Sequence, residues 1–399
     1  MSAGRPIRAL SVFGTRPEAI KMAPVVQRLA QDPRFDARVC VTGQHREMLD
    51  QVLELFRITP DADLAVMEPG QDLFDVTSRV LVGMREVLRS EGPDVVLVHG
   101  DTTTCLASGL AAFYERTPVA HVEAGLRTGA LDRPWPEELN RVLVGRFADL
   151  HFAPTEAAAQ NLLDEGTPAK RVLVTGNTVV DALLDVSRCI RGHAAETYVD
   201  ALGADLAATL DASDDPVVLV TGHRRESFGA GFDELCDGLR RVATAHPEWS
   251  IVYPVHLNPR VRGPVHDALG GVPNVHLIEP LSYQPFVWLM NRATAILTDS
   301  GGIQEEGPSL RVPVLVTRDV TERPEAVAAG GVRLVGTDAE RIVRGLETAI
   351  LDPAERARMT SGDNPYGDGR AAHRIADALF ARYGASAPMA AEHAAQVAA

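Results

Sequence analysis

The chain of 399 residues is 45% hydrophobic, 23% charged and 5% aromatic, longer than one core ordinarily supports, so two globular domains are expected and fibrous or disordered classes are excluded. Its formal net charge of -15 repels nucleic acid and anionic lipid, so neither is expected as a partner, and any anionic ligand must be held by local cations. Four scattered cysteines, with no 18-residue apolar run, argue against a disulfide framework, a thiolate metal site and a membrane span, and a cytoplasmic location is expected.

Short apolar, β-branched runs recur along the chain, each followed by a turn and a helical pattern. In the first half they are "IRALSVFG", "ARVCVTG", "DVVLVHG", "PVAHVEAG", "DLHFAP" and "RVLVTG". In the second they are "PVVLVTG", "SIVYPV", "NVHLIEP", "AILTDSGG", "VPVLVTR" and "GVRLVG". Continuous apolar runs without alternation predict strands buried on both faces of a parallel sheet, and six per half predict two doubly wound, Rossmann-like α/β domains. Polar helical sequence interrupts the rhythm from Ser187 to Pro216, and the expected division is residues 1–187, joined by a C-terminal helix over 366–383, against residues 188–365. The tail 384–399 is expected to be disordered.

Polar motifs cluster where these strands end. "GTRPEAIK", "GDTTT" and "EAGLRT" follow strands of the first half, while "GHRRES", "HLNP" and "DSGGIQEEG" follow strands of the second. Ligands of open parallel sheets bind at carboxyl ends of strands, so these loops predict one site in an interdomain crevice. In "DSGGIQEEG", the alternative to a plain turn is that Ser300, Gly301 and Gly302 offer backbone N–H groups to a phosphate, with Glu306 within reach of ribose hydroxyls. No G-x-G-x-x-G follows the first strand, which disfavours nicotinamide chemistry.

Lys21 is one of only two lysines among 39 basic residues, so beside Arg16 it reads as a compact point charge for phosphate rather than a generic surface cation. His223, between Gly222 and two arginines, reads either as a satisfied histidine at a strand end or as a phosphate contact or proton donor. With His256 it lacks the spacing of a metal site, and no metal is expected. Asp101 could merely cap a helix, but Glu123 follows the next strand and Glu137 follows shortly after. Acids in one half and a diphosphate clamp in the other suit chemistry at the anomeric end of a nucleotide sugar.

The strings "FGTRPEAIKMAP", "VHGDTTT", "HVEAGLRT", "PWPEELNR", "TGHRRE", "YPVHLNP", "LTDSGGIQEEGPSL", "TERPEA" and "NPYGDG" resemble those of the non-hydrolysing UDP-N-acetylglucosamine 2-epimerases, from about Ile7 to Tyr383. The resemblance implies a fold like that of the B-type glycosyltransferases, a homodimer, and interconversion of UDP-GlcNAc and UDP-ManNAc without cofactor. UDP is eliminated across C1–C2 to bound 2-acetamidoglucal and then added back. Carried over by resemblance, Arg16, Lys21, Asp101, Glu123, Glu137 and His223 match substrate and catalytic residues. Leu281 and Phe286 match uracil contacts, Ser300, Gly301 and Gly302 the phosphate loop, Glu306 the ribose contact and Arg323 a further nucleotide contact. Many relatives carry a second, activating UDP-GlcNAc site. Gln44, Arg224 and His256 match it, but Glu47 stands where a glutamine is usual and Gly70 where an arginine is, so loss of this activation is expected. The rival readings are a hydrolysing epimerase releasing ManNAc and UDP, a glycosyltransferase of the same fold, and an inactive sugar-nucleotide sensor.

Overall fold

Burial on both faces is what an unbroken apolar strand requires, and the computed structural model shows it in Val95–His99, where all five residues are buried. The structure describes residues 5–43, 46–68, 70–222 and 230–384. The strands are β1 (Ile7–Phe13), β2 (Phe35–Val41), β3 (Ala62–Asp63), β4 (Val95–His99), β5 (Val119–Val122), β6 (Leu150–Ala153), β7 (Val172–Val174), β8 (Val217–Thr221), β9 (Ser250–Pro254), β10 (Val275–Ile278), β11 (Ala295–Thr298), β12 (Val314–Val316) and β13 (Val332–Leu334). They form two wholly parallel sheets, ordered β3-β2-β1-β4-β5-β6-β7 and β10-β9-β8-β11-β12-β13. Both orders are doubly wound, with the reversal of winding between β1 and β4 in one sheet and between β8 and β11 in the other.

The first sheet has seven strands, not the six expected. The addition, β3, is the two-residue stretch Ala62–Asp63 inside "DAD", paired to Cys40 and Val41 of β2. An edge strand of two residues leaves no apolar periodicity to read.

The chain divides into one unit of Met1–Ala182 with Gly369–Ala399 and a second of Leu183–Asp368. The division falls within the helix Thr178–Cys189. In the first unit the core is built of Leu10, Val12, Val96, Val98 and Ala107, all fully buried, and in the second of Val218, Leu239, Ile251, Leu297 and Leu346. Each such Val, Leu or Ile side chain contributes roughly 1.5–3 kcal/mol on burial. The helix Ala371–Tyr383 is tied to the first unit by its ends. The Asp181 carboxylate accepts from the N–H groups of Ala371 and Ala372 at 3.2 and 2.9 Å, and Asp149 accepts two bonds from Arg382 and one from the Tyr383 hydroxyl. Among the described residues, no helix is long and apolar enough to cross a membrane.

Candidate active site

At the winding reversal of the first sheet, the chain leaving β1 turns through Gly14 into the helix Arg16–Ala30. This start is fixed by a capping box: Glu18 accepts from the N–H groups of Gly14 and Thr15 at 3.0 and 2.8 Å and from the Thr102 hydroxyl at 2.5 Å. The cap binds the loop after β1 to the loop after β4. Arg16 is half-buried in the first turn of this helix. Lys21, one turn further, reaches across to the end of β5, where its Nζ lies 2.5 Å from Glu123 Oε2.

Glu123 is delivered by a left-handed backbone turn, φ 60°, a conformation few side-chain-bearing residues adopt. Its carboxyl is largely buried and takes a second hydrogen bond from Asn177 Nδ2 at 2.9 Å. His99, at the end of β4, holds its Nε2 3.7 Å from the same oxygen. Asp101 follows two residues later; Asn140 Nδ2 donates to its carbonyl at 2.8 Å, and Arg141 lies 3.6 Å from its carboxylate. Burial pushes the Asp101 carboxyl up to about 6; the Arg141 cation opposes this, while the negative charges of Glu123 and Glu137 add to it. The three expected acids thus share one electrostatic neighbourhood.

Glu137 is half-buried at the first position of the helix Glu137–Phe147, whose next residue behaves differently. Glu138 is 1% exposed, accepts from the N–H groups of Thr128 and Gly129 at 3.0 and 3.1 Å, and lies 2.9 Å from Arg141 Nε. It holds the Thr128–Gly129 loop and orients the arginine beside Asp101. Sequence reasoning did not single out His99, Asn140, Arg141 or Asn177. Glu137, Asn140 and Arg141 fall at i, i+3 and i+4, one helical face, and that spacing was the available signal. Asn177 lies 54 residues from Glu123 and gave none.

In the second unit the reversal lies beside β11. Thr298 Oγ1 shares a 2.6 Å hydrogen bond with Thr221 Oγ1 and accepts from Ser300 N at 2.9 Å, fixing the start of the loop. Ser300 caps a helix of only six residues, Gly301–Glu306. A side chain on Gly302 would meet Ser300 Oγ and Glu306 Oε2 at 3.8 and 3.9 Å, ordinary contact, so internal crowding does not demand glycine there. Glu306 is 7% exposed and accepts from the Tyr283 hydroxyl at 3.2 Å. Leu281 is buried and Phe286 half-buried at the head of the neighbouring helix Tyr283–Arg292. Arg323 is ion-paired to the buried Glu305, which pins its guanidinium beside the loop helix.

His256 is exposed, with Nδ1 accepting from Asn258 N at 3.1 Å. Gly70 is exposed with φ 76° and open space where a side chain would stand. His223, Gln44, Arg224 and the side chain of Glu47 lie outside the described residues, as does the tail beyond Gly384. Among the described residues, no group of three or more His, Cys, Asp or Glu side chains could hold a metal ion.

A family model described as UDP-N-acetylglucosamine 2-epimerase matches residues 27–380. The chain belongs to this family. It is 60% identical over 376 residues to the UDP-N-acetylglucosamine 2-epimerase of Escherichia coli strain K12, spanning 94% of this chain and 98% of that one. Its fold is similar to that of the Neisseria meningitidis UDP-GlcNAc 2-epimerase bound to UDP-GlcNAc, with TM-score 0.84 and 48% identity over 94% of this chain and all of that one. A more distant likeness is to the Methanocaldococcus jannaschii UDP-GlcNAc 2-epimerase in complex with UDP-GlcNAc and UDP, at TM-score 0.74 and 33% identity over 94% of this chain and 99% of that one. In this chain the acids belong to the first unit and the glycine-rich loop to the second.

Proposed function

We propose that the protein interconverts UDP-GlcNAc and UDP-ManNAc by eliminating UDP and adding it back. In the forward direction a carboxylate takes the C2 proton, the C–H electrons form the C1=C2 double bond, and the C1–O bond breaks with its electron pair leaving on UDP. The 2-acetamidoglucal then receives a proton on the opposite face of C2 as a UDP oxygen rejoins C1. The steps are redox-neutral and need two proton-transfer groups. The supporting observation is the trio of Asp101, Glu123 and Glu137, within which burial and like charge bring Asp101 to about 6, suited to exchanging a proton near neutrality. His223 is read as a further proton-transfer or phosphate group. Arg16, Lys21, Ser300, Gly301, Gly302, Glu306 and Arg323 are read as the nucleotide and diphosphate contacts, with Leu281 and Phe286 against uracil.

The test is UDP-GlcNAc alone in D₂O, followed by NMR. Deuterium at C2 of both epimers, with the nucleotide sugar conserved, is expected. Epimerisation without label refutes elimination, and accumulation of free ManNAc and UDP identifies a hydrolysing enzyme.

The same reading makes the protein a homodimer. Phe113 and Tyr114 are 53% and 66% exposed, and Leu139 and Leu143 are exposed on the neighbouring helix, with Phe113 against Phe147 at 5.8 Å between ring centroids. Apolar side chains clustered in this way favour a covering subunit. Activation by a second UDP-GlcNAc is read as lost, because Gly70 supplies no guanidinium and Glu47 adds negative charge in place of a neutral amide.

A further inference from the structure

His99 is the last residue of β4, between β1 and β5, and is 3% exposed. Neither of its ring nitrogens has a hydrogen-bond partner among the described residues. On the adjoining strand His121, by contrast, is held through one ring nitrogen, its Nε2 bonding the Gly100 carbonyl at 2.7 Å. An unpaired buried polar group is costly, so a side chain like His99 calls for a reason. Burial also holds the imidazole neutral, its value pushed down to about 4 against the pull of the Glu123 carboxylate, so at neutral pH one nitrogen carries a proton and can donate.

Beside it lies the carboxylate of Glu123, whose Oε2 is 3.7 Å from Nε2, less than 1 Å beyond an ordinary N–H···O bond. That oxygen already takes Lys21 Nζ at 2.5 Å and Asn177 Nδ2 at 2.9 Å, and a carboxylate oxygen offers about two lone-pair directions. His99 can therefore bond this oxygen when one of these donors leaves. Lys21 is the one an anionic ligand competes for, because its cation is the charge that a diphosphate attracts.

We propose that His99 is a positioning residue for Glu123, its Nε2–H replacing Lys21 on the carboxylate once Lys21 turns to the anionic substrate. This rests on the reading of Lys21 as a diphosphate contact. The exchange has a chemical consequence. Replacing a cation by a neutral donor weakens the stabilisation of the charged carboxylate, so Glu123 becomes a stronger base when substrate is bound, while its rotamer stays fixed.

Two measurements test this. In protein labelled with ¹⁵N at histidine, one buried imidazole N–H should move downfield on saturation with UDP-GlcNAc, and the same resonance should be missing from His99→Gln. In steady state, His99→Leu should lose about tenfold or more in kcat, with KM and UDP affinity changed by no more than about twofold. His99→Gln keeps an N–H donor and should recover most of the loss. A folded leucine variant that turns over like the parent, leucine and glutamine variants equally impaired, or an imidazole resonance unmoved by ligand each overturn the proposal. If the leucine variant does not fold, the resonance of the unaltered protein decides. Unaltered protein that forms no UDP-ManNAc refutes the proposed activity instead, whereas an active protein with an unmoved His99 refutes only this inference.

Discussion

Asp101 and the adjacent pair Glu137 and Glu138 show how environment separates carboxyls of one chemistry. Folding raises the Asp101 carboxyl to about 6 from an ordinary carboxyl value, so between roughly pH 4 and 6 the folded state holds a proton that the unfolded chain has released. Stability therefore declines as pH rises through that window, and the cost is full above it. Asp101→Asn should raise Tm by a few degrees at pH 8, on the order of 1 kcal/mol, and hardly at all at pH 4, as thermal unfolding at the two pH values will show. Turnover of the unaltered protein should fall as pH drops below about 6, because protonated Asp101 cannot accept a proton, and the residual activity of the asparagine variant should lack that limb. The glutamates differ in another way. Glu137→Gln should leave Tm nearly unchanged while turnover drops about 10²-fold. Glu138→Ala should cost about 3–5 kcal/mol in urea unfolding, since it strands buried Arg141 and two loop N–H groups. A glutamine variant at Glu137 with ordinary turnover would remove it from the proton-transfer set.

Among the elements, the strands were legible because each is a largely apolar run, buried on both faces at the centre of the sheets though not in β7, whose last residue is exposed. The strand β3 was not, because the two residues Ala62 and Asp63 carry no period. The C-terminal helix illustrates what no local pattern encodes. Its first N–H groups are capped by Asp181, a residue 190 positions away in sequence. Asp181→Ala should cost about 0.5–2 kcal/mol, and the loss should concentrate in this helix. Hydrogen exchange should speed up in residues 371–376 while β4 stays protected. Uniform acceleration over the whole unit would contradict a local capping role.

For the whole molecule, the proposed loss of activation by a second UDP-GlcNAc rests on two residues, Glu47 and Gly70, whose effects would act in the same direction. Each missing or reversed charge-assisted bond is worth about 1.5–3 kcal/mol, and 1.4 kcal/mol is a factor of ten in affinity. UDP-ManNAc should therefore be epimerised with no UDP-GlcNAc added, and the forward rate should follow a simple hyperbola in coupled assays of initial rate. A reverse reaction silent until a trace of UDP-GlcNAc is supplied, or a sigmoidal forward curve, would show the regulatory site intact.

The sequence by itself determined the fold class and the family, because both rest on local features: apolar runs of strand length, glycine-punctuated strand ends, and long uncommon strings such as "LTDSGGIQEEGPSL". It also narrowed the acids to a few positions. Tertiary structure decided what surrounds those positions. That Glu138, not Glu137, is buried as a loop anchor depends on N–H groups at Thr128 and Gly129 turning back onto the helix. That Lys21 meets Glu123 depends on a contact across 102 residues. That His99 and Asn177 crowd the same oxygen depends on the parallel order that sets β4 beside β5 and on the loop after β7, two strands over, reaching back to it. A carboxyl's proton affinity is a sum over neighbours in space and over lost water, and a one-dimensional string carries neither.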